Sequence, residues 1–230
     1  MKKIKENDID FICSINAPCF HMLSLKEIEL IQQTKTQIQF RKGETITKQG
    51  TYASYILFII KGVVKQYIEE RDKNFNLQIL TDGDFIGVNT LFNDETYNYS
   101  TYALDDTQVL LIDKNNLINI IRDNGSFAYN LIHNHGKHNQ LLYETIRNLM
   151  YKQMNGRLAT TLLYLADDKF ISKNIFTLLT RKDIAEFAGI STESTVKFLR
   201  NLEKEGILSL QEKDIIINDK ETLKTIAEKG

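Results

Sequence analysis

The sequence predicts an α+β fold in which a β-rich half precedes a helical half. Short apolar runs separated by glycine-containing turns fill residues 37–113, a texture typical of a small roll, barrel or sandwich. A long amphipathic helix is expected next, and a pair of short helices with a hairpin ends the chain. We therefore expect a β-roll domain at 1–125, a central dimerisation helix at 126–153 and a third domain at 154–230.

The β-rich half begins after a short predicted helix at 24–31, for which Ser24 is a suitable N-terminal cap. The strands are expected at residues 38–40, 45–47, 55–60, 63–68, 77–80, 100–103 and 109–112. None of these strands contains a histidine, which disfavours a cupin-like metal enzyme with histidine ligands on inward-facing strands. We expect no enzymatic activity, no bound metal and no cofactor.

The long helix, predicted over 127–151 after a short helix at 115–121, has an apolar stripe at near-heptad spacing. Its length is about 25 residues, or roughly 37 Å at 1.5 Å per residue. A second copy of the chain is the simplest cover for such a stripe and would give a parallel homodimer. The expected interface residues are Leu131, His138, Leu142, Thr145 and Leu149. A hinge is predicted at Asn155 and Gly156.

The C-terminal third contains the pattern most informative about function. Thr180 and Asp183 have the spacing of a capping box, which can start a helix. Gly189 suits the tight turn between two crossed helices, and Ser191 or Thr192 can cap the second helix. After Gly206, short apolar runs at residues 207–210 and 214–217, separated by Gln-Glu-Lys, predict a small hairpin that completes a winged helix-turn-helix pattern.

The second of these helices has one apolar and one polar face at about 100° per residue. The apolar face carries Thr195, Phe198, Leu199 and Leu202. Glu193, Lys197 and Arg200 lie on the opposite face, where a carboxylate can accept from a cytosine amine and cations can reach guanine or a phosphate. A solvated amphipathic helix is the alternative interpretation, and the hairpin favours DNA.

Composition limits the remaining possibilities. The chain has 230 residues, 42% of them hydrophobic, and a formal net charge of −1, which fits a globular protein and disfavours one that coats nucleic acid. No apolar run approaches the roughly 18–20 residues of a membrane span. No hydrophobic segment follows the N-terminal lysines as in a signal peptide. We therefore expect a cytoplasmic protein without a membrane partner.

Five motifs in this order resemble the cyclic-AMP-receptor/FNR (Crp/Fnr) family of bacterial transcription regulators. They are Phe40-x-x-Gly43-Glu44-x-Ile46-x-x-x-Gly50, Ile59-x-x-Gly62-x-Val64-Lys65, Gly83-Asp84-Phe85-x-Gly87, Gly156-Arg157-Leu158-Ala159-x-x-Leu162-Leu163 and Ser191-x-Glu193-x-x-x-Lys197-x-Leu199-x-x-Leu202-Glu203. The resemblance, from about Leu25 to Ile217, implies a cyclic-nucleotide-binding-like jelly roll. It also implies a homodimer that binds double-stranded DNA at an inverted repeat, with half-sites roughly 34 Å apart, and contacts RNA polymerase.

The resemblance also implies roles for individual residues. Thr192, Glu193 and Lys197 match the family's base-reading positions, and Thr180 and Arg181 match positions near the DNA backbone. The full DNA-binding set is Thr180, Arg181, Ser191, Thr192, Glu193, Lys197 and Arg200. Thr192 and Lys197 replace two arginines usual in the family, which should change guanine reading by about 1–3 kcal/mol at each base pair. The family's operator is therefore not carried over.

The effector pocket implied by the resemblance departs further from the family. A ribose-binding glutamate and a phosphate-binding arginine–serine pair are usual, whereas Val88 and approximately Tyr99-Ser100 stand here. A buried phosphate without an arginine would be poorly compensated, so we predict no binding of cyclic AMP or cyclic GMP. The candidate pocket comprises Gly87, Val88, Leu91, Tyr99, Ser100, Leu142 and Tyr143, and the effector is not identified.

Three histidines and two cysteines leave other sensors open. Cys13 and Cys19 lie in an N-terminal lead predicted to be flexible, and two thiols are too few for a four-coordinate zinc site or the FNR-type cluster. A haem- or metal-dependent sensor could use His133, His135 and His138. The preferred interpretation is that they are polar residues within a dimer interface or half-exposed histidines without a ligand. A regulatory module without DNA contact is the other alternative.

Overall fold

The structure is a computed structural model of the chain. The residues that it describes are 1–4, 18–34, 36–92 and 95–230. The chain divides into two compact units, of which unit 1 comprises Met1–Glu69 and Ile79–Gln140 and unit 2 comprises Glu70–Gln78 and Leu141–Gly230. None of the helices in the described ranges combines the length and apolar composition that crossing a bilayer requires.

The β-rich half forms two antiparallel sheets, as the strand pattern predicts. The strands are β1 (Lys2–Ile4), β2 (Thr36–Phe40), β3 (Thr45–Thr47), β4 (Tyr55–Lys61), β5 (Val63–Glu70), β6 (Lys73–Thr81), β7 (Phe85–Ile86), β8 (Ser100–Ala103) and β9 (Thr107–Asp113). One sheet has the order β1-β2-β9-β4-β7 and the other β3-β8-β5-β6. Each of the seven predicted strands is present, whereas β1 and β7 were not predicted.

The apolar run in β4 is continuous because both faces of this strand are buried. Ile56 and Phe58 pack in one hydrophobic cluster, and Leu57 and Ile59 pack in a second one. Alternate side chains of a strand point to opposite faces, so a strand between two cores has no polar positions. A continuous apolar run of this length therefore indicates a strand that is covered on both faces.

The first helix of unit 1, α1 (Leu25–Thr34), has the predicted cap. The Ser24 amide donates to Glu27 Oε2 at 2.6 Å, and the Glu27 amide donates to Ser24 Oγ at 3.4 Å. This reciprocal arrangement satisfies backbone donors at the start of the helix. The next helices are α2 (Lys114–Asp123) and the long helix α3 (Gly125–Tyr151), which continues into unit 2.

The prediction of a flexible N-terminal lead is wrong at Lys2–Ile4. These residues form β1, which pairs antiparallel with β2 and places Lys2 opposite Gln39. The pairing satisfies backbone groups at the edge of β2, a gain that sequence composition does not reveal. Cys13 lies outside the described residues, and Cys19 lies in a 3₁₀ turn at Pro18–Met22.

Unit 2 has the predicted arrangement of helices followed by a hairpin. Its elements after α3 are α4 (Met154–Leu165), α5 (Asp168–Ile171), α6 (Ile175–Leu178), α7 (Arg181–Ala188), α8 (Thr192–Lys204), β10 (Leu208–Gln211), β11 (Asp214–Ile217) and α9 (Lys220–Lys229). Strands β10 and β11 pair antiparallel, with Leu208 opposite Ile217. The hairpin thus begins one residue later than predicted.

The predicted hinge at Asn155 and Gly156 is wrong. Both residues lie inside α4, and the interruption between α3 and α4 falls at Lys152 and Gln153. Gly156 is buried, and a β-carbon at this position would lie 2.6 Å from the carbonyl oxygen of Gly230. The glycine therefore permits close packing of α4 against the end of α9 and does not provide flexibility.

Candidate functional site

The helix-turn-helix is built from α7, a glycine turn and α8. Thr180 Oγ1 accepts from the Asp183 amide at 3.1 Å, and the Thr180 amide donates to Asp183 Oδ2 at 2.8 Å, which confirms the capping box. Gly189 has a φ of 62°, and a β-carbon there would lie 2.9 Å from Leu149 Cδ2. Only glycine combines this left-handed backbone with this close contact. The cap of α8 is Ser191, whose hydroxyl accepts from the Ser194 amide at 3.1 Å.

The two predicted faces of α8 are confirmed by burial. The inner face consists of Thr195, Phe198, Leu199 and Leu202, which are all buried. Thr195 is 0% exposed, and its hydroxyl donates to the Ser191 carbonyl at 3.1 Å, so its polar atom is satisfied. Glu193, Lys197 and Arg200 are exposed on the outer face. The buried face fixes the rotation of α8 and therefore the direction in which the outer face points.

The outer face extends beyond the residues identified from sequence. Lys204 is exposed and continues the spacing of Glu193, Lys197 and Arg200 by one more turn. Val196, which is half-buried, borders the same face. Extending the i, i+4, i+7 series to i+11 would have identified Lys204 from sequence, whereas an apolar valine gives no such signal.

The charge of Glu193 is favoured by the start of α8. Its own backbone amide and the Ser191 hydroxyl donate to the carboxylate, and these hydrogen bonds lower the pKa of Glu193. An acidic side chain in the first turn also interacts favourably with the helix dipole. The outer face therefore presents one hydrogen-bond acceptor at its beginning and cations along the rest of its length.

One predicted DNA-binding residue does not join this face. Arg181, the first residue of α7, is half-buried, and its guanidinium Nη2 lies 3.5 Å from the Glu212 carbonyl in the β10–β11 turn. In this structure the Arg181 side chain is directed at the hairpin, and its contact with the DNA backbone stays a prediction.

Residues of the predicted effector pocket that lie in unit 1 have neighbours within the chain. Tyr99 Oη accepts from the Gly87 amide at 2.8 Å, whereas Val88 and Leu91 pack into the hydrophobic cluster that contains Phe58. Burial raises the pKa of Tyr99 to about 12, against the opposing effect of the Gly87 amide, so the phenol is neutral at physiological pH. The Gly87 amide is therefore already engaged by this tyrosine.

Ser100 faces away from Tyr99 because adjacent residues of a strand alternate. Its hydroxyl accepts from the Gln49 amide at 2.9 Å and donates to the Glu69 carboxylate. Glu69 also pairs with Lys48. Tyr99 and Ser100 thus have different hydrogen-bond partners, and their joint role in an effector site stays a prediction. The other two expected pocket residues, Leu142 and Tyr143, belong to unit 2, where Leu142 is half-buried and Tyr143 is exposed.

Replacing Glu69 by glutamine is expected to lower the free energy of unfolding by about 1–2 kcal/mol at pH 7. The hydrogen bond from Lys48, followed by that from Ser100, lowers the pKa of Glu69. A lowered pKa stabilises the fold above the unfolded value of about 4.3, and this contribution disappears as pH falls through the folded pKa. Urea unfolding should show the wild-type advantage at pH 7 and its loss below about pH 4. Glu70→Gln, at an exposed neighbouring position, should leave the value unchanged at both pH values.

The predicted dimer stripe on α3 is largely used within the chain. Leu131 is only 6% exposed and packs in a core cluster of unit 1, and His138 Nε2 lies 3.7 Å from Asp84 Oδ1. In unit 2, Thr145 and Leu149 line a cavity of about 410 Å³ with Phe187. Leu142 is half-buried in the same unit. The predicted stripe is therefore used in part within the chain, whereas Leu149 is 37% exposed.

A second stripe on α3 is apolar and open to solvent. Its exposed large side chains are Tyr129, Ile132, Tyr143, Ile146 and Met150. With Gly136 and Asn139 they repeat at alternating spacings of three and four residues, which is the heptad pattern of a coiled-coil seam. This exposed stripe lies about a third of a turn around the helix from the predicted one. It is the face of α3 that remains available to a partner.

His133 and His138 of α3 have different neighbours. The His133 ring stacks on Tyr129 with centroids 6.2 Å apart, and His138 lies beside Asp84. Among the described residues, no three histidine, cysteine, aspartate or glutamate side chains come together in a way that could hold a metal ion. The structure thus provides no geometry that favours the metal-dependent alternative.

Comparisons with known proteins support the division seen in the fold. Residues 37–124 match the model of the cyclic nucleotide-binding domain, and residues 156–226 match that of the Crp-like helix-turn-helix domain. The anaerobic regulatory protein of Bacillus subtilis is 27% identical over 202 residues, 85% of each chain. The cAMP-activated global transcriptional regulator CRP of Salmonella typhimurium is 30% identical over 78% of this chain and 88% of its own. The solved structure of FixK2 from Bradyrhizobium japonicum superposes with a TM-score of 0.74 at 21% identity, covering 84% of this chain and 97% of that one.

Proposed function

The chain belongs to the Crp/Fnr family of transcription regulators, and from this premise we propose that it binds an inverted-repeat operator as a homodimer. As a member of this family it is a transcription regulator with a helix-turn-helix DNA-binding domain. The observation that carries the proposal is the outer face of α8, which is exposed and polar while its inner face is buried. The proposed domains are 1–125, 126–153 and 154–230.

Base reading is assigned to the outer face of α8. Glu193 would accept a hydrogen bond from a cytosine amine, and Lys197 would donate to guanine O6 or N7 in the major groove. Arg200, one turn further along, would reach a second guanine or a phosphate. The hydroxyls of Thr180, Ser191 and Thr192 would donate to the DNA backbone beside the groove. This arrangement places bases at the centre of the contact and phosphates at its edges.

A homodimer is supported by the exposed stripe of α3 and by the low net charge. Two copies of α3 packed along the exposed stripe would bury Tyr143 and Ile146 against their symmetry mates and place two α8 helices in successive major grooves, roughly 34 Å apart. A chain with a net charge of −1 gains little non-specific attraction to DNA, so simultaneous binding of two half-sites would supply the affinity.

Cyclic AMP and cyclic GMP do not fit the residues of the β-roll. Val88 stands at the position where a ribose would need a carboxylate, and it packs against apolar neighbours. The Tyr99 hydroxyl accepts a hydrogen bond from the Gly87 amide. No arginine occupies the expected phosphate position, so a buried phosphate would have no bidentate cation. We propose regulation by another effector or by none, with no cofactor and no catalytic activity. Contact with RNA polymerase and a cytoplasmic location complete the proposal.

Selection of bound fragments from random DNA by the purified full-length protein tests this function. We expect enrichment of an inverted repeat with half-sites about one helical turn apart, because a two-fold dimer reads a two-fold site. The same sequence should be enriched to the same degree when cyclic AMP is added. Failure to enrich any sequence would contradict the DNA-binding proposal, and enrichment only with cyclic AMP would contradict the effector proposal.

A further inference from the structure

The exposed stripe of α3 is interrupted at two consecutive positions by residues that do not suit an apolar seam. Tyr129 and Ile132 are 72% and 65% exposed, and Tyr143, further along the helix, is 72% exposed. Between them the stripe passes through Gly136, which is exposed, and Asn139, which is half-buried. A glycine and an amide therefore occupy the middle of the surface proposed as the dimer seam.

Gly136 is not required by the packing of the single chain. Within the described residues, a β-carbon at this position would meet no atom within 4 Å outside its own stretch of helix backbone. Glycine is the poorest helix former after proline, because it loses the most backbone freedom on folding. In the interior of a 27-residue helix it offers an advantage where another backbone comes close. On the exposed stripe, that backbone would belong to another chain.

Asn139 brings a polar group to the same part of the stripe. It follows Gly136 by three residues, so the two positions lie on one face of the helix. An asparagine amide has both donors and an acceptor, so two identical amides related by a two-fold axis can donate to each other. In parallel two-stranded coiled coils, a single asparagine at a seam position sets the register and the number of chains at a cost in stability.

We propose that Asn139 hydrogen-bonds with its counterpart in a second copy of the chain, at a point where Gly136 lets the two α3 helices approach closely, and that this pair sets the register of the homodimer. The inference rests on the proposed function, because it needs a dimer along the exposed stripe. A shift of one helix by one heptad would place Asn139 opposite Ile132 or Ile146. Each amide would then be buried without a hydrogen-bond partner, so only the unshifted dimer satisfies both amides.

The first test is subunit exchange between two full-length proteins. Nitrogen-15-labelled wild type is equilibrated with an equal amount of Asn139→Ile, and the dimers are weighed by native mass spectrometry. A mixed dimer buries one amide against isoleucine, which should destabilise it about tenfold, so its share should fall from about one half to about one tenth. The control variant Lys137→Ile introduces the same residue at an exposed position off the stripe, and it should form mixed dimers at about one half.

The second test compares dimer dissociation constants by sedimentation. Asn139→Ile should dimerise about tenfold or more tightly than wild type, because a pair of isoleucines buries apolar surface in place of two amides. Gly136→Leu should dimerise about tenfold or more weakly, because two leucines would fill the space of the close approach. A β-carbon at Gly136 has free space in the single chain, so the helix content of this variant should match that of wild type by circular dichroism, which shows that it is folded.

Two results would overturn the inference. Mixed dimers of wild type and Asn139→Ile at about one half of the total would show that the two amides do not face each other. Tighter dimerisation of Gly136→Leu would show that the helices are not close at this point, since the added leucine would then extend the apolar surface. If wild-type protein is dimeric and binds the operator, either result contradicts this inference alone. A wild-type protein that sediments as a monomer would contradict the homodimer of the proposed function as well.

Discussion

Replacing Ile146 by glutamate is expected to convert the dimer to a monomer and to lower operator affinity by about 10²- to 10⁴-fold. Ile146 is 53% exposed in the single chain and lies on the apolar stripe proposed as the dimer seam. In a two-fold dimer the two glutamates would face each other across an apolar interface, where each charge loses hydration without a partner. Sedimentation velocity gives the mass, and fluorescence anisotropy with the selected operator gives the affinity.

A matched control on the same helix is Lys137→Glu. Lys137 is exposed but lies off the stripe, so the variant should remain dimeric and bind DNA with nearly unchanged affinity. A dimeric Ile146→Glu protein with wild-type affinity would contradict the proposed seam. Dissociation by Thr145→Glu without dissociation by Ile146→Glu would instead favour the stripe predicted from the sequence.

Lys197→Ala is expected to weaken the free energy of operator binding by about 2–6 kcal/mol for the dimer, which is roughly 30-fold to 20,000-fold in affinity. Each half-site would lose one direct base contact worth about 1–3 kcal/mol. Lys197 is exposed on α8, so its removal should leave the melting temperature unchanged. Competition with operators altered at one symmetric base pair should show that the variant no longer discriminates at that position.

Lys204→Ala provides the comparison on the same helix face. An exposed lysine at the far end of α8 would contact a phosphate at most, so its loss should weaken binding to all sequences alike and reduce the salt slope. Unchanged operator affinity and unchanged base discrimination in Lys197→Ala would contradict the assignment of base reading to the outer face of α8. Loss of affinity for every sequence equally would make Lys197 a phosphate contact.

The helix-turn-helix was predictable because its determinants are local. Thr180 and Asp183 cap one helix, Gly189 makes the turn and Ser191 caps the next helix, all within a dozen residues. The inner face of α8 is apolar and its outer face is charged, so a single rotation of the helix satisfies the pattern. The β4 run was predictable as well, because a short apolar run bounded by turn residues is typical of a strand buried on both faces.

The faces of α3 were not predictable in the same way. One stripe containing Leu131 and Leu149 and another containing Ile132 and Ile146 are both apolar and both close to heptad spacing. The sequence periodicity identifies both stripes. Only the packing of the rest of the chain shows that the stripe containing Leu131 takes part in internal packing. The same reason applies to β7, which is two residues long and exists because β4 offers it a partner.

Periodicity, cap residues and turn glycines belong to the chain alone, and they are sufficient for the order of the elements, the division of α8 into two faces and the family resemblance. Only the folded structure shows that Tyr99 and Ser100 have different hydrogen-bond partners. The same is true of the direction of the Arg181 side chain and of the apolar face of α3 that stays exposed. Each of these depends on which neighbour from a distant part of the chain supplies a hydrogen-bond partner or an apolar surface. Such neighbours are brought together by packing, and no local spacing of residues encodes them.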